Sequence, residues 1–277
     1  MARRNRIELL ARLGYAAHGT VNLIVGLLAL LAALGRGGGT TGSRGALQAL
    51  LAQPAGQVLL GVVALGLVGF ALWRACQAVL DADGRGRSGR ALLARTGQGV
   101  SAVIYAGLAL SAVGLLMGWR SAGNEEQSAE DWTAWLMLQP FGRWLLALVG
   151  LAVIGAAAGM AAKAWTASFR DHLTCDARTA SWAVPLGRIG HAARAVVTLT
   201  IGIFLVIAAW QFDPGEARGL GGALAALQDQ PFGRALFALV AAGLAAFGAF
   251  EFVEARHRRI RAPAEVAALV PARMTAR

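Results

Sequence analysis

The stretch Arg12–Leu30, RLGYAAHGTVNLIVGLLAL, carries enough apolar residues to form a membrane span, and related stretches recur twice. They begin at Arg95 (RTGQGVSAVIYAGLALSAV) and at Arg188 (RIGHAARAVVTLTIGIFLV). Each is followed by a second apolar stretch behind a short motif: Gln53-Pro54-Ala55-Gly56, Gln139-Pro140-Phe141-Gly142 and Gln230-Pro231-Phe232-Gly233. Self-similarity at a long period marks a chain built from repeated supersecondary units. A span needs ~20 mainly apolar residues to cross a hydrocarbon layer about 30 Å thick. Six stretches qualify, at about 13–34, 56–78, 98–119, 143–165, 190–211 and 233–254. The sequence therefore predicts a single all-α integral membrane domain over 1–277, with six transmembrane helices as three two-helix repeats. The repeats cover 12–80, 95–167 and 188–256, and a basic tail covers 257–277.

Composition agrees, with 57% hydrophobic residues and a mean hydropathy of +0.56, against roughly 45–50% apolar residues in a soluble domain. The basic start before an apolar run imitates a signal peptide. His18 and Asn22 inside that run, and its recurrence later in the chain, argue for a retained span.

Lys and Arg near span ends stay on the cytoplasmic side. Of the 26 Lys and Arg, only Arg36, Arg44, Arg120, Arg143, Arg218 and Arg234 fall in the loops after the odd spans. Both termini are accordingly expected in the cytoplasm, across the inner membrane of a bacterium. The net charge of +11 is then concentrated on one face. It points to the bilayer and its anionic lipid headgroups as partners, and not to nucleic acid. Cys76 and Cys175 fall on that reducing side, so no disulfide is expected.

Proline suits a helix start and restricts the residue before it, so each Gln-Pro-x-Gly motif reads as the boundary of an even span. The segments before it, GALQALLAQ, DWTAWLMLQ and GGALAALQDQ, have apolar residues three and four apart. They read as short amphipathic helices on the outer surface, with Trp132 and Trp135 anchoring the second at the headgroups.

The chain resembles the bacterial membrane family named domain of unknown function 1206, whose members carry a two-helix unit three times. The resemblance rests on Arg12 with Gly14, Arg95 with Gly97, Arg188 with Gly190, on Gly14-Tyr15, and on Pro54, Pro140 and Pro231 with their glycines. It implies the fold and promises no activity. The tyrosine is replaced by Gln98 and His191 in the later units. An even number of spans per unit keeps the copies parallel, which predicts a pseudo-threefold bundle about an axis along the membrane normal.

Aligned units place His18, Ser101 and Arg194 together, and likewise Asn22, Tyr105 and Thr198, with His191 one turn before Arg194. Three- and four-residue spacing puts each set on one helix face. Even spans align Arg74, Met160 and Glu251. A polar side chain at such depth is costly toward lipid, so these residues are expected to face other helices or water. The depth of Glu251 on its helix matches Arg194 on the antiparallel partner, which predicts an Arg194–Glu251 ion pair. Two readings of the cluster stand: hydrogen bonds that hold the bundle, and a polar path or pocket.

Phosphate-binding loops, HExxH, paired CxxC motifs and nucleophile elbows do not occur in the sequence. The cluster DHLTCD, Asp171–Asp176, supplies too few ligands for a metal and reads as a solvated loop. No cofactor, metal or catalytic residue is expected. The expectation is a non-enzymatic membrane interaction or scaffold protein, acting as a homo-oligomer or with an unknown protein partner. The alternative is a small-solute or ion permease lined by the odd spans.

Overall fold

The computed structural model describes residues 2–81, 84, 86–118 and 125–258; of the basic tail, only His257 and Arg258 fall among them. Six helices are long and apolar enough to cross a membrane: α1 (Ala2–Ala33), α3 (Gly56–Leu80), α4 (Gly89–Leu116), α6 (Gly142–Thr166), α7 (Ala177–Gln211) and α9 (Gly233–His257). Three short helices, α2 (Ser43–Leu51), α5 (Glu125–Met137) and α8 (Leu220–Gln228), connect the spans of each repeat. The chain is an integral membrane protein of three parallel helical hairpins. One end of the bundle carries the start of α1 and the end of α9 and is rich in arginine; the short helices lie at the other.

The even helices begin at the glycine of each motif, within a residue of the expected starts at 56, 143 and 233, which leaves the proline outside the first turn. Proline instead sits inside a tight turn that Gly56, Gly142 and Gly233 close by donating N–H to Gln53, Gln139 and Gln230, at 2.8, 2.8 and 2.6 Å. The residue between is left-handed, with φ of 60° at Ala55, 61° at Phe141 and 58° at Phe232. The glycine follows from sterics. A Cβ at Gly142 would stand 2.7 Å from the Cα of Met137 in the helix just completed, and Gly56 and Gly233 meet Leu51 and Gln228 in the same way.

The short helices do more than lie on the surface. Leu47 of α2 and Leu224 of α8 are fully buried in the main core. Glu126 of α5 accepts the N–H groups of Gly219 (2.7 Å) and Gly222 (2.8 Å), so a carboxylate caps the free amides at the start of α8. Arg44, just inside α2, donates to Ser128 of α5 at 2.5 Å. The three form a lid, with Trp132 and Trp135 exposed on it.

The most extensive interfaces join different repeats: α9 with α1, α6 with α7, and α3 with α4. Within repeats, α1 packs on α3 and α7 on α9, whereas α4 and α6 share no comparable interface. The order round the axis is therefore α4, α3, α1, α9, α7, α6, open between the two spans of repeat two. The Arg-x-Gly starts report the same break. A Cβ on Gly14 would stand 2.7 Å from the Cα of Phe70, and one on Gly190 2.6 Å from that of Phe247; Gly97 has no neighbour within 4 Å. Where the sibling repeats carry Phe70 and Phe247, repeat two has Ala156. Gly155 and Gly159 of α6 also stand in open space.

Arginines close the α1–α9 seam at both ends. Arg12 donates to the carbonyls of Ala255 (2.8 Å) and Arg256, and Arg234 to that of Ala33 (3.0 Å). Arg95 treats α3 likewise, reaching Ala78 and Val79, both at 2.8 Å. Each guanidinium meets carbonyls that a helix C-terminus leaves without intrahelical donors.

α7 starts well before the expected 190. Asp176 caps it by accepting from the Thr179 N–H at 3.3 Å, and Thr179 holds that carboxyl below the usual carboxylate range. At roughly 1.5 Å per residue, its 35 residues exceed the hydrocarbon thickness, so its first turns stand beyond the bilayer. The segment Asp171–Asp176 is not simply a solvated loop. Thr174 donates its N–H (2.8 Å) and hydroxyl (2.9 Å) to the carbonyl of His257, and Leu173 is buried.

Candidate functional site

Near the basic end, five side chains from α1, α4, α7 and α9 form one continuous polar chain. His18 Nδ1 lies 2.5 Å from Glu251 Oε1, and His18 Nε2 lies 2.5 Å from the Tyr105 hydroxyl. Arg194 donates to that hydroxyl at 3.0 Å, and Asn22 donates to Glu251 Oε2 at 3.3 Å. His18 is 3% exposed and Glu251 2%, so neither is solvated in the usual way. A buried carboxylate in such surroundings needs donors on its oxygens, and His18 and Asn22, both on α1, face them.

With His18 as the Nδ1–H tautomer, the donor inventory gives one direction along this chain. Arginine can only donate, so the Tyr105 oxygen accepts from Arg194 and its own proton is free to go to His18 Nε2. Nδ1 then carries the imidazole hydrogen toward Glu251, whose other oxygen accepts from Asn22. Every hydrogen points down the row from Arg194 to the carboxylate. With an ionised Glu251 and a neutral His18 the set is mutually satisfied.

Aromatic rings wall the chain. Phe70 stacks on His18, with centroids 4.8 Å apart, and Arg74 lies over the far side of Phe70 at 4.8 Å from its centroid. Arg194 lies over Phe247 at 4.7 Å. The two phenylalanines that close hairpins one and three thus also carry the two guanidiniums nearest the carboxylate. One turn toward the basic end, Glu254 pairs with Arg258, whose guanidinium lies over Tyr15 at 5.0 Å.

Of the residues singled out from sequence, His18, Asn22, Tyr105, Arg194 and Glu251 meet directly, and Arg74 joins through Phe70. The other three do not. Ser101 donates to Gly97 of its own helix (2.9 Å), Thr198 points to Met160 Sδ (3.7 Å), and His191 bonds the Gly187 carbonyl (2.8 Å) and stacks on Phe169. The predicted Arg194–Glu251 ion pair is replaced by a bridge through Tyr105 and His18. The reason lies in the packing: α9 turns its Glu251 face to α1, its most extensive partner, and not to α7 of its own hairpin. Phe70, Phe247 and Glu254 were not anticipated. The four-residue spacing of Glu254 and Arg258 was a readable signal, whereas the phenylalanines look like ordinary span residues.

Among the described residues, no group of three or more His, Cys, Asp or Glu is placed to hold a metal ion. The arrangement can hold and pass protons and hydrogen bonds at one end of the membrane-spanning bundle.

These features define a class: integral membrane bundles of three parallel hairpins, each with an Arg-x-Gly start and a Gln-Pro-x-Gly turn. Residues 13–81, 96–167 and 189–258 each match the family described as Domain of Unknown Function (DUF1206), and the chain belongs to it. It is similar to the uncharacterized protein YxxB of Bacillus subtilis (strain 168), 34% identical over 257 residues and covering 90% of each chain. No solved structure matches the chain.

Proposed function

We propose that this chain is a non-enzymatic interaction or scaffold protein of the bacterial inner membrane, with both termini in the cytoplasm. It works through its outer faces and does not move a solute along its axis. The supporting observation is what lies beyond the polar chain. Past Asn22 and Tyr105 toward the lid, the core is made of Val25, Ala29, Leu108, Ala112 and Val197, and Leu47 and Leu224 close it. A charged solute would meet no polar step over that distance, and a charge at midmembrane depth is unfavourable by at least about 2.5 kcal/mol. The surfaces that remain for partners are the arginine-rich end, suited to anionic headgroups, and the open side of repeat two, where Gly155 and Gly159 leave room for another helix.

Flux through purified protein in sealed vesicles tests this directly. Proton, potassium and chloride fluxes are expected at the rate of protein-free vesicles. One observation favours the permease reading: an ionisable pair set inside the spans, the usual mark of an ion pathway. A flux above background that Glu251→Gln abolishes would install that reading instead.

A further inference from the structure

The Arg194–Tyr105–His18–Glu251 chain holds one arrangement of hydrogens in which every donor finds an acceptor, and a single additional proton disrupts it. At 2.5 Å, His18 Nδ1 and Glu251 Oε1 stand too close for two bare lone pairs, so the pair holds a hydrogen between them, off the line of an ideal N–H bond. In the arrangement above, the pair carries that one hydrogen and Nε2 is bare to receive the Tyr105 proton. Add a second proton. Asn22 already donates to Oε2 and opposes a proton there, so the added proton leaves an imidazolium beside a carboxylate, or a carboxylic acid on Oε1 beside the other neutral tautomer of His18. In both cases Nε2 now bears a hydrogen directed at the Tyr105 oxygen 2.5 Å away. That oxygen already accepts from Arg194. Tyr105 must then turn its own hydrogen elsewhere, and neither His18 nor Arg194 can take it.

We propose that Glu251 and His18 form a proton-binding site whose occupancy is read by α4 through Tyr105. The site binds one proton and forms or breaks no other covalent bond. The charged and titratable groups facing it are Arg74 from α3, Arg194 and His191 from α7, Glu254 from α9 and Tyr105 from α4. In the singly protonated state, Tyr105 ties α4 to α1 and α7. In the doubly protonated state the Tyr105 oxygen faces two incoming donors and its own buried O–H has lost its acceptor, and α4 is released toward the side on which it has no packed partner, the gap before α6. Helix α4 is suited to respond because its span is only 28% buried, against 44% for α1 and 56% for α9.

The test uses the full chain in liposomes with Cys76 and Cys175 replaced by serine. Spin labels at Val103→Cys on α4 and Leu151→Cys on α6, both exposed positions, report the width of the gap by pulsed electron resonance. Infrared difference spectra between neutral and acidic buffer report proton uptake. The expected result is a protonation band lost in Glu251→Gln, accompanied by a shift in the label distance. Tyr105→Phe is expected to keep the band and lose the shift, since the ring still fills its place. A band without any shift, a shift that survives Tyr105→Phe, or no cluster band across the range in which the protein remains folded each overturns the proposal.

Discussion

Repeats one and three are closed hairpins, and repeat two is an open one, although all three start with Arg-x-Gly and turn on Gln-Pro-x-Gly. The motifs therefore specify the start and the turn of a unit but not whether its spans touch. Contact coincides with a further difference, at the residue whose backbone the odd-helix glycine meets. Phe70 and Phe247 stand there in repeats one and three, and Ala156 takes the equivalent place in repeat two. The same two phenylalanines carry Arg74 and Arg194 beside Glu251. Closure of the outer repeats and assembly of the polar chain are consequently one structural event, from which repeat two contributes only Tyr105.

The sharpest way to break this contrast is to remove the carboxylate on which the closed side converges. Glu251→Leu takes the acceptor from His18 and from one Asn22 hydrogen, and removes the negative charge that faces Arg194 and Arg74. Breaking a buried pair in this way costs about 3–5 kcal/mol, to be read as a fall in thermal unfolding temperature in detergent. An unchanged temperature would mean the chain contributes nothing to stability.

The glycines offer a smaller and more selective test. Gly190→Ala and Gly14→Ala force a methyl against the Phe247 and Phe70 backbones and should destabilise by about 1–3 kcal/mol. Gly97→Ala meets no neighbour and should instead stabilise by roughly 0.5–1 kcal/mol through helix propensity. Equal losses at all three positions would show that α4 and α6 do pack together in the membrane.

The repeat-start arginines rank next. Arg12→Ala and Arg95→Ala each remove a guanidinium from a helix C-terminus, for about 0.3–1 kcal/mol. Arg188, exposed and without such carbonyl partners, should be replaceable by alanine with no measurable change in unfolding.

The smallest effect is expected at Asp176. Its carboxyl titrates below the ordinary range because Thr179 bonds the charged form. The cap therefore contributes fully above the unfolded carboxylate pKa and is lost as pH falls through the lower folded value. Protease nicking at the start of α7 should increase only in that acid range, and Asp176→Ala should show the increase already at neutral pH.

Much of this was legible in the sequence. Span length and recurrence were enough for six helices in three units, and spacing and alignment singled out nine polar positions, of which His18, Asn22, Tyr105, Arg194 and Glu251 meet, while Ser101, His191 and Thr198 do not join them. Pairing was not legible. Aligning the units shows which positions are equivalent, but not which unit's even helix lies against which odd helix. The Arg194–Glu251 expectation assumed contact within the hairpin, whereas the bundle packs most extensively between successive hairpins, α9 returning to α1. The Arg-x-Gly motif was visible, yet its arginine acts on the end of the preceding repeat, a target that has no signature in the motif. Ala156 in place of phenylalanine was also in plain view. Its meaning required knowing that the sibling residues meet Gly14 and Gly190.

The seam between α1 and α9 has a consequence for biogenesis. It joins α1 to α9, which comes much later in the chain: His18 and Asn22 meet Glu251, Asn22 also donating to the His18 carbonyl of its own helix, and Arg12 donates to the end of α9. Until α9 enters the bilayer, His18 of α1 stands at membrane depth without the carboxylate it packs against. A chain interrupted before Gly233 is thus marked as unfinished by its first helix, and quality-control proteases of the membrane would have a physical feature by which to recognise it.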